Sequence, residues 1–390
     1  MAIERDVHLL EPGPKRILAL DGGGVRGIVE LAFLERLEDL LRAQHDDDPS
    51  FRLCQWFDLI GGTSTGAIIA ALLALGLTAR EATAHYFELA PDAFRARRWW
   101  VPGVAPRFKA KYLYDHLSKI FKDIAMDSDR IRTGLAVMSR RYDTGSPWLL
   151  SNNPRGPYWP DPADGSFIGN RHYKLADVVR ASTAAPGFFQ PMLLPIIKGE
   201  PSKLFIDGGL SPYNNPSLAL IMLTQADNYG LQWPLGVDNL TLLSIGTGNA
   251  RGLTQENTKA PKTSGALLLR SLMDTLADGQ LLTLTLLQWF SETPAPWTIN
   301  SEIGNLGSEY LGGKPLLRFQ RYDMPLDSEW LRKNLNIEFT EEELVVLRRF
   351  DRVGSMKELY KLAKLAACEQ MKPDSPLWRA PGSPTVSKDS

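Results

Sequence analysis

Two successive segments that each indicate a strand, a glycine-rich loop and a helix constrain this 390-residue chain more than any other feature. In the first, the apolar residues 16–20 precede three glycines at residues 22–24, and apolar side chains then recur at helical spacing. In the second, residues 57–60 are followed by the glycine-rich residues 61–66 and an apolar helix over residues 67–77. Repeated units of this kind indicate an α/β fold in which a mostly parallel sheet carries helices on both faces.

The remaining segments extend this pattern along the chain. Further strands are predicted at residues 135–139, 204–207 and 240–245, and further helices at residues 111–122, 267–290 and 341–371, the last with a break at Gly354. The expected organisation is an N-terminal extension over residues 1–14, one α/β domain over residues 15–371 with its motifs in residues 16–220, and a disordered tail over residues 372–390.

Composition argues against several classes of function. The 44 basic and 45 acidic residues leave a net charge of −1, so no nucleic-acid partner is expected. Two cysteines and five scattered histidines favour neither a disulfide scaffold nor a metal site, and no cofactor is expected. Residues 1–14 lack the apolar core of a secretory signal, and the apolar run within residues 59–77 is too short to span a bilayer, so we expect a cytoplasmic protein.

Ser64 is the candidate nucleophile. It stands in Gly62-Thr63-Ser64-Thr65-Gly66, which matches G-x-S-x-G, between a predicted strand and a predicted helix. The two glycines allow a sharp turn, and N–H groups at the start of the helix would stabilise negative charge beside Ser64. The alternative is a glycine-rich turn in which Ser64 only caps the helix.

Asp207 is the candidate base. It ends the apolar run of residues 204–206 and precedes Gly208 and Gly209, so it is expected where ligands bind at the carboxyl end of a strand. An Asp-Gly pair is also a common turn, and in isolation Asp207 fits that interpretation better.

The positions of the histidines limit the mechanism. None follows Asp207, which excludes the Ser–Asp–His order of an α/β-hydrolase triad; the five are His8, His45, His85, His116 and His172. His172 can still approach Ser64 in space, although a surface or structural role is the better interpretation beside Arg171 and Tyr173.

The loop of residues 21–27, Asp-Gly-Gly-Gly-Val-Arg-Gly, offers unshielded N–H groups to an anion at the start of a helix. The anion is either the oxyanion of an acyl-transfer intermediate or a nucleotide phosphate. Gly22, Gly24 and Gly27 also fit G-x-G-x-x-G, which alone is weak support for a dinucleotide site. Arg26 adds positive charge beside the loop, unless it is a solvated residue at the start of the helix.

Taken in order, residues 21–27, 62–66 and 207–209 resemble the D-G-G-G-x-[RK]-G, G-x-S-x-G and D-G-[GA] motifs of the patatin-like phospholipase family. Each motif is weak alone, and the combination is specific. Residues 240–248 also resemble a later strand and loop of that family, whereas the C-terminal third carries no motif that we can place.

The resemblance implies a three-layer patatin-like fold with Ser64 as nucleophile and Asp207 as base. It implies an oxyanion hole formed by N–H groups of Gly22, Gly23 and Gly24, with supporting motif residues Asp21, Arg26, Gly27, Gly62, Gly66, Gly208 and Gly209. It also implies a metal-free lipid acyl hydrolase that cleaves phospholipid or glycerolipid esters through an acyl-enzyme. Burial would raise the pKa of Asp207 above about 3.9 and make it a better base.

Two segments are candidates for contact with lipid. Residues 95–101 combine arginines with Trp99 and Trp100, which suits transient contact with a membrane surface and equally suits partial burial of the tryptophans. Residues 281–290 form either a core helix, which we favour, or part of an acyl-chain wall.

Other functions stay open at this stage. One is a thioesterase or small-ester esterase on the same scaffold. Another is a phospholipase effector activated by cyclic nucleotides, as occurs among bacterial antiphage enzymes that resemble patatin, although no pattern here identifies such a site. The third is a nucleotide-binding signalling module in which residues 22–27 and 246–248 hold phosphates.

Overall fold

The computed structural model describes residues 3–97, 105–248 and 264–378, and for residues 264–276 it describes only the helical backbone. The described strands are β1 (Lys15–Leu20), β2 (Leu59–Thr63), β3 (Gly134–Arg141), β4 (Pro147–Ser151), β5 (Met192–Leu194), β6 (Lys203–Asp207), β7 (Leu240–Ile245), β8 (Ser291–Glu292) and β9 (Leu317–Tyr322). The described α-helices are α1 (Glu4–Leu10), α2 (Gly27–Ala43), α3 (Leu53–Trp56), α4 (Thr65–Ala74), α5 (Ala79–Ala93), α6 (Ala110–Phe121), α7 (Leu175–Ser182), α8 (Ser217–Gln225), α9 (Ser264–Phe290), α10 (Ser328–Leu335), α11 (Glu341–Leu347) and α12 (Met356–Gln370).

The strands belong to one mostly parallel sheet. Strands β3, β2, β1, β7, β9 and β8 are parallel neighbours in that order. Two antiparallel strands, β4 and β6, both pair with β3, and β5 pairs with β6. The predicted α/β class is therefore confirmed.

Both faces of the sheet are covered by helices. On β1, Leu18 and Leu20 join a hydrophobic cluster with residues of α2, α4, α5, α6, α7 and α12, whereas Ile17 and Ala19 join a second cluster with residues of α8 and α9. All four side chains are fully buried. Because successive side chains of a strand point to opposite faces, this alternation gives three layers. It also explains why β1 has an uninterrupted apolar sequence.

Strand β2 differs from the prediction at its C-terminal end. It includes Gly61 and Gly62, which the sequence assigned to a loop, and ends at Thr63. The physical reason is close packing on both faces. A Cβ on Gly61 would lie 2.4 Å from a side-chain carbon of Leu220, and one on Gly62 would lie 2.2 Å from the backbone of Gly66. Glycine in a strand therefore marks close approach here rather than a turn.

The C-terminal tail also begins later than predicted. Trp378 is fully buried, its indole N–H donates a 2.8 Å hydrogen bond to the carbonyl oxygen of Lys372, and its ring stacks on Tyr322 at 6.1 Å. A buried indole has a large apolar surface to anchor this segment. Residues 379–390 of the predicted tail lie outside the described residues.

Among the described helices, none combines the length and apolar character needed to cross a bilayer. Of the segment predicted to contact lipid, residues 98–101 lie outside the described part of the chain.

Candidate active site

Strand pairing brings Ser64 and Asp207 together although 143 positions separate them in the chain. Strand β2 runs parallel to β3 and ends with Thr63 opposite Met138. Strand β6 runs antiparallel to β3 and ends with Asp207 opposite Ser139, on the same edge as β2, because β4 pairs along the other edge. The carboxyl ends of β2 and β6 therefore meet head to head. Ser64 directly follows β2, and Asp207 is the last residue of β6.

Ser64 occupies a sharp turn between β2 and α4. Its φ of 54° and ψ of −118° are uncommon for a residue that carries a Cβ. The turn depends on the glycine at each end of the motif: a Cβ on Gly66 would lie 2.4 Å from the carbonyl oxygen of Leu20, and Gly62 packs directly against Gly66. The Oγ of Ser182 accepts a 2.8 Å hydrogen bond from the Ser64 N–H and donates to a carbonyl oxygen of β3. This strand–turn–helix geometry is the one a nucleophile elbow needs.

Ser64 and Asp207 are in direct contact. The Ser64 Oγ donates a 2.6 Å hydrogen bond to Oδ2 of Asp207, whose Oδ1 accepts one of 2.7 Å from the N–H of Gly209. Burial raises the pKa of Asp207 to about 6, against the hydrogen bonds from Ser64 and Gly209 and the charge of Arg180, which lower it. A carboxylate with a raised pKa and a fixed orientation is a better general base than an exposed one.

The predicted oxyanion loop lies against the elbow, where a Cβ on Gly22 would be 3.2 Å from the Cβ of Ser64. Two of its N–H groups are engaged: Gly22 donates to the carbonyl oxygen of Asn214 at 3.1 Å, and Gly23 donates to the hydroxyl of the first residue of α4 at 3.1 Å. Gly24, with a φ of 58°, donates no N–H hydrogen bond to any described residue. Of the three predicted donors, Gly24 is thus the one already available to a ligand.

The other glycines of the motifs hold close contacts. A Cβ on Gly208 would lie 2.6 Å from the carbonyl oxygen of Met138, and one on Gly27 would lie 3.1 Å from the hydroxyl of Tyr86. Arg26 donates a 3.3 Å hydrogen bond to the carbonyl oxygen of Gly248, so it is not the solvated arginine of the alternative interpretation.

A buried ion pair behind the glycine loop was missed at the level of sequence. Arg321, near the end of β9, donates to both carboxylate oxygens of Asp21 at 2.9 and 2.6 Å and to Asp323 at 2.9 Å. Asp323 in turn accepts a 2.8 Å hydrogen bond from the N–H of Gly248. Burial lowers the pKa of Arg321, but Asp21 and Asp323 outweigh it and hold that pKa above its ordinary value. Because Asp21 directly precedes Gly22, the pair fixes the start of the loop.

Sequence reasoning also missed Asn214. Besides accepting from the N–H of Gly22, it donates its side-chain amide to the Gly22 carbonyl oxygen at 3.1 Å. No local pattern marks this asparagine or Arg321. The strand that carries Arg321 mixes apolar and polar residues and also holds Arg318, so its charge does not single it out.

A cavity of about 930 Å³ opens over Ser64 and crosses the carboxyl edge of the sheet. Its apolar wall comes from the α4–α6 side and from the segment before β5, and includes Ile68, Leu89, Ala93, Phe94, Leu113, Phe188 and Phe189. On the other face of the sheet the lining is mixed and includes Asn214, Leu281, Leu284, Ile299, Asn300 and Ser301. Residues 281–290 of helix α9 therefore contribute both to the core and to the cavity wall. Leu287 is buried in the core, and Leu281 lines the cavity.

All five histidines lie in the described residues, and none lines this cavity. His172 instead contacts Asp161 on the surface, with 2.7 Å between Nε2 and Oδ2. Within the described ranges, no cluster of three or more His, Cys, Asp or Glu side chains has the arrangement of a metal site.

Comparison with known proteins identifies a family. The family model described as patatin-like phospholipase matches residues 18–221, just over half of the chain. Patatin-like protein 4 of Arabidopsis thaliana is 29% identical over 256 residues, 60% of this chain and 60% of that protein. The cUMP-AMP-activated phospholipase of Escherichia coli is 34% identical over 206 residues, 53% of this chain and 58% of that protein. The chain thus spans about three-fifths of the length of these relatives.

Among solved structures, VipD from Legionella pneumophila aligns over 90% of this chain and 67% of its own, with a TM-score of 0.38 and 11% identity. The match of the family model covers the glycine loop, the serine elbow and Asp207 in a single stretch. The chain belongs to the patatin-like phospholipase family.

Proposed function

We propose that this chain is a lipid acyl hydrolase of the phospholipase A type, with Ser64 as nucleophile and Asp207 as base. The observation that carries the proposal is the 2.6 Å hydrogen bond from Ser64 Oγ to Asp207 Oδ2 in a cavity of about 930 Å³. A serine hydroxyl held by a buried carboxylate beside an apolar wall suits an ester that carries a long alkyl chain.

In this mechanism Asp207 accepts a proton and then returns it in each half of the reaction. Ser64 Oγ attacks the ester carbonyl carbon while its proton passes to Asp207, and Asp207 then returns that proton to the alcohol as the bond to the leaving oxygen breaks. In the second half, water loses a proton to Asp207 and attacks the acyl-enzyme. The fatty acid leaves as Ser64 regains its proton. The raised pKa of Asp207, about 6, suits both directions of transfer near neutral pH.

The oxyanion of each tetrahedral intermediate would face the glycine loop. Gly24 offers an N–H group that no described residue uses. Gly22 and Gly23 donate to an oxyanion only after leaving Asn214 and Thr65. Their contribution therefore requires a small shift of the loop when substrate binds.

The two sides of the cavity match the two parts of a glycerolipid. The apolar wall from Ile68 to Phe189 suits a fatty acyl chain, while Asn300 and Ser301 offer polar groups to the glycerol or head group. This favours a long-chain ester over the small-ester alternative. Transient contact with a membrane surface stays part of the proposal, because a lipid must be taken from one.

The deciding experiment is hydrolysis of phosphatidylcholine vesicles by Ser64→Ala, with acyl-CoA and a p-nitrophenyl butyrate ester assayed in parallel. Loss of the nucleophile should lower the rate by several orders of magnitude. Ser328→Ala, an exposed serine outside the cavity, is the matched control. A folded Ser64→Ala protein that keeps more than about a tenth of the activity contradicts the proposal. Faster turnover of acyl-CoA or of the butyrate than of phospholipid favours the alternative hydrolases.

The assay is run with and without cyclic dinucleotides. Two relatives are named cUMP-AMP-activated and cGAMP-activated phospholipase, so low basal activity in this chain would not by itself oppose the proposal. Stimulation of wild type but not of Ser64→Ala would support the cyclic-nucleotide-activated alternative within the same chemistry.

A further inference from the structure

Three apolar side chains form an exposed row across the end of the sheet that carries β5. Leu193 of β5 lies directly opposite Leu204 of β6, and the N–H of Tyr142, which follows β3, donates a 2.9 Å hydrogen bond to the carbonyl oxygen of Leu204. Opposite residues on neighbouring strands share a face of the sheet. Leu193, Leu204 and Tyr142 are 56%, 38% and 65% exposed, and we call these three residues the apolar ladder.

The apolar ladder lies on a part of the sheet that no described helix covers. Phe205, the next residue of β6, is fully buried in the cluster that includes residues of α4 and α7, so Leu204 points to the opposite face. That face carries α8 and α9 near β1, but the exposure of the ladder shows that this cover does not extend to β5. Single exposed leucines are ordinary on a protein surface, whereas an aligned row of apolar side chains indicates an interaction surface.

The ladder lies beside the catalytic cavity. Leu204 precedes Asp207 by three positions, a distance of about 10 Å along a strand. Because β6 runs antiparallel to β3, Leu204 lies outward from Asp207, level with Tyr142 beyond the carboxyl end of β3. Arg140, on the same face, donates a 3.2 Å hydrogen bond to the carbonyl oxygen of Leu210, which lines the cavity. A surface that contacts the ladder would therefore lie at the edge of the sheet that the cavity crosses.

The backbone of β5 is poorly suited to a protein partner. This strand has three residues, ends the sheet and stands between Pro191 and Pro195. A short edge strand flanked by prolines does not template the addition of another strand. A stable protein interface takes about 20–30 residues a side, whereas a few apolar side chains are enough to insert among lipid head groups.

The charges beside the ladder indicate which lipid surface fits. The charged residues that flank it in the chain are Arg140, Arg141, Lys198 and Lys203, against Asp143 and Glu200. Arg141 lies 2.6 Å from Asp143 and Lys203 lies 3.5 Å from Glu200, so these charges compensate each other. Among the described residues, no ion pair involves Arg140 or Lys198, which leaves a local excess of positive charge. Positive charge beside exposed apolar side chains favours an anionic membrane surface.

We propose that the apolar ladder docks this chain on a membrane surface that contains anionic lipid. The inference rests on the proposed function, because a hydrolase of lipid esters must reach its substrate at such a surface. In this orientation the side chains of the ladder enter the head-group region, and Arg140 and Lys198 face the lipid phosphates. The sequence pointed instead to residues 95–101 for this contact, because the members of the ladder come from separate segments of the chain.

The test is co-sedimentation of the full chain carrying Ser64→Ala, which cannot consume the lipid, with sucrose-loaded vesicles. One set of vesicles is phosphatidylcholine alone, and the other is phosphatidylcholine and phosphatidylglycerol in equal parts. The chain should bind the mixed vesicles more tightly, and added salt should weaken that preference. In this background, Leu193→Ser should weaken binding to the mixed vesicles about tenfold, because it removes one leucine side chain from the apolar contact.

Further variants make the test specific. Tyr142→Ser should also weaken binding, whereas Tyr142→Trp keeps an aromatic ring suited to the interface and should preserve it. Leu365→Ser, at a 52% exposed leucine of α12 outside the catalytic cavity, is the matched control and should change binding by less than about twofold. Since Leu193 and Tyr142 are more than half exposed, their variants should keep the melting temperature of the parent chain.

A catalytic measurement separates docking from chemistry. With Ser64 intact, Leu193→Ser should lower hydrolysis of vesicle phospholipid about tenfold and change hydrolysis of dissolved p-nitrophenyl butyrate by less than about twofold. If wild type cleaves vesicle phospholipid but the Ser64→Ala chain does not sediment, the docking proposal fails alone. Sedimentation without hydrolysis, with or without cyclic dinucleotides, supports docking and counts against the proposed function alone.

Three results of the sedimentation would overturn the docking proposal. They are no binding to the mixed vesicles, equal binding to phosphatidylcholine alone, and a Leu193→Ser variant that binds as tightly as Leu365→Ser. A dimer that Leu193→Ser converts to a monomer, with vesicle binding unchanged, would also overturn it and would assign the ladder to a second copy of the chain.

Discussion

Asp21 and Asp207 share the same local sequence, a carboxylate at or just after the end of a buried strand followed by two glycines, yet the fold gives them different partners. Asp21 is fully buried and held through both oxygens by Arg321. Asp207 is 4% exposed and contacts a neutral serine hydroxyl and a backbone N–H. Arg180, whose charge lowers the pKa of Asp207, donates a hydrogen bond to the carbonyl oxygen of Gln190 instead.

The two buried carboxyl groups therefore differ in their partners, a guanidinium for Asp21 and a hydroxyl for Asp207. Burial raises the pKa of Asp21 and of Asp207 alike to about 6, but Asp21 is bonded through both oxygens to the Arg321 guanidinium, and this fixed geometry positions the loop that follows. Asp207 instead contacts a neutral hydroxyl, whose proton it would accept in the proposed mechanism. The same substitution, Asp to Asn, should therefore have different consequences at the two sites.

The largest expected effect is on activity. Asp207→Asn should lower phospholipid hydrolysis nearly as much as Ser64→Ala, by several orders of magnitude, because an amide cannot accept the serine proton and, among the described residues, no other carboxylate or imidazole is hydrogen-bonded to Ser64 Oγ. Initial rates on vesicles measure this, with Asp238→Asn, an exposed aspartate, as the matched control. A folded Asp207→Asn variant with substantial activity would remove Asp207 from the mechanism.

The next effect is on stability, and it should differ between the two aspartates. Asp21→Asn leaves the buried Arg321 with Asp323 as its remaining carboxylate partner, beside the Ser244 hydroxyl, which should cost about 3 kcal/mol of the free energy of unfolding. Asp207→Asn removes a buried charge whose pKa, about 6, exceeds its ordinary 3.8, so at pH 8 it should leave the protein equally stable or more stable, by up to about 3 kcal/mol. Urea denaturation of both variants measures the contrast. Equal losses would show that the two environments are not different in the way described.

How much of this could be predicted from the sequence depends on how local the determinants are. Strands β1 and β7 were predicted almost to the residue, because strands buried on both faces leave an unbroken apolar run. The elbow and the turn after Asp207 could also be found from local sequence, because glycines stand next to each of them at positions where a Cβ would clash with neighbouring backbone.

The rest could not be predicted, because its determinants are tertiary. Arg321 and Asp21 are 300 positions apart, and neither local sequence predicts that the two residues are in contact. The sequence also does not show which N–H groups of the glycine loop already donate a hydrogen bond, since the acceptor for Gly22 is the carbonyl oxygen of Asn214 in a distant segment. Sequence therefore identified the proposed nucleophile and base, which the structure places in contact, and missed the residues that hold the glycine loop in place.

The pH dependence of the reaction should follow the base. Because Asp207 must be ionised to accept the Ser64 proton and burial raises its pKa to about 6, kcat/KM should be level above about pH 7 and fall about tenfold per pH unit well below pH 6. The folded state binds this proton more tightly than the unfolded chain, so the contribution of Asp207 to stability increases as pH falls from 6 toward 4. Activity and this stability contribution should thus move in opposite directions. A rate that stays level down to pH 4.5 contradicts a raised pKa.

The smallest expected effect tests which residue sets that pH profile, because the titration of a histidine would also give an inflection near pH 6. His172→Ala should change kcat/KM by less than about twofold, since His172 pairs with Asp161 at the surface and does not line the cavity. The inflection near pH 6 should persist unchanged in this variant, and the same should hold for His85→Ala and His116→Ala. The measurement is the full pH profile of each variant rather than a single rate, with the melting temperature as a control for folding. If His172→Ala abolishes both activity and the inflection while the protein stays folded, a histidine and not Asp207 sets the profile. The contrast between the two strand-end aspartates would then no longer explain the chemistry.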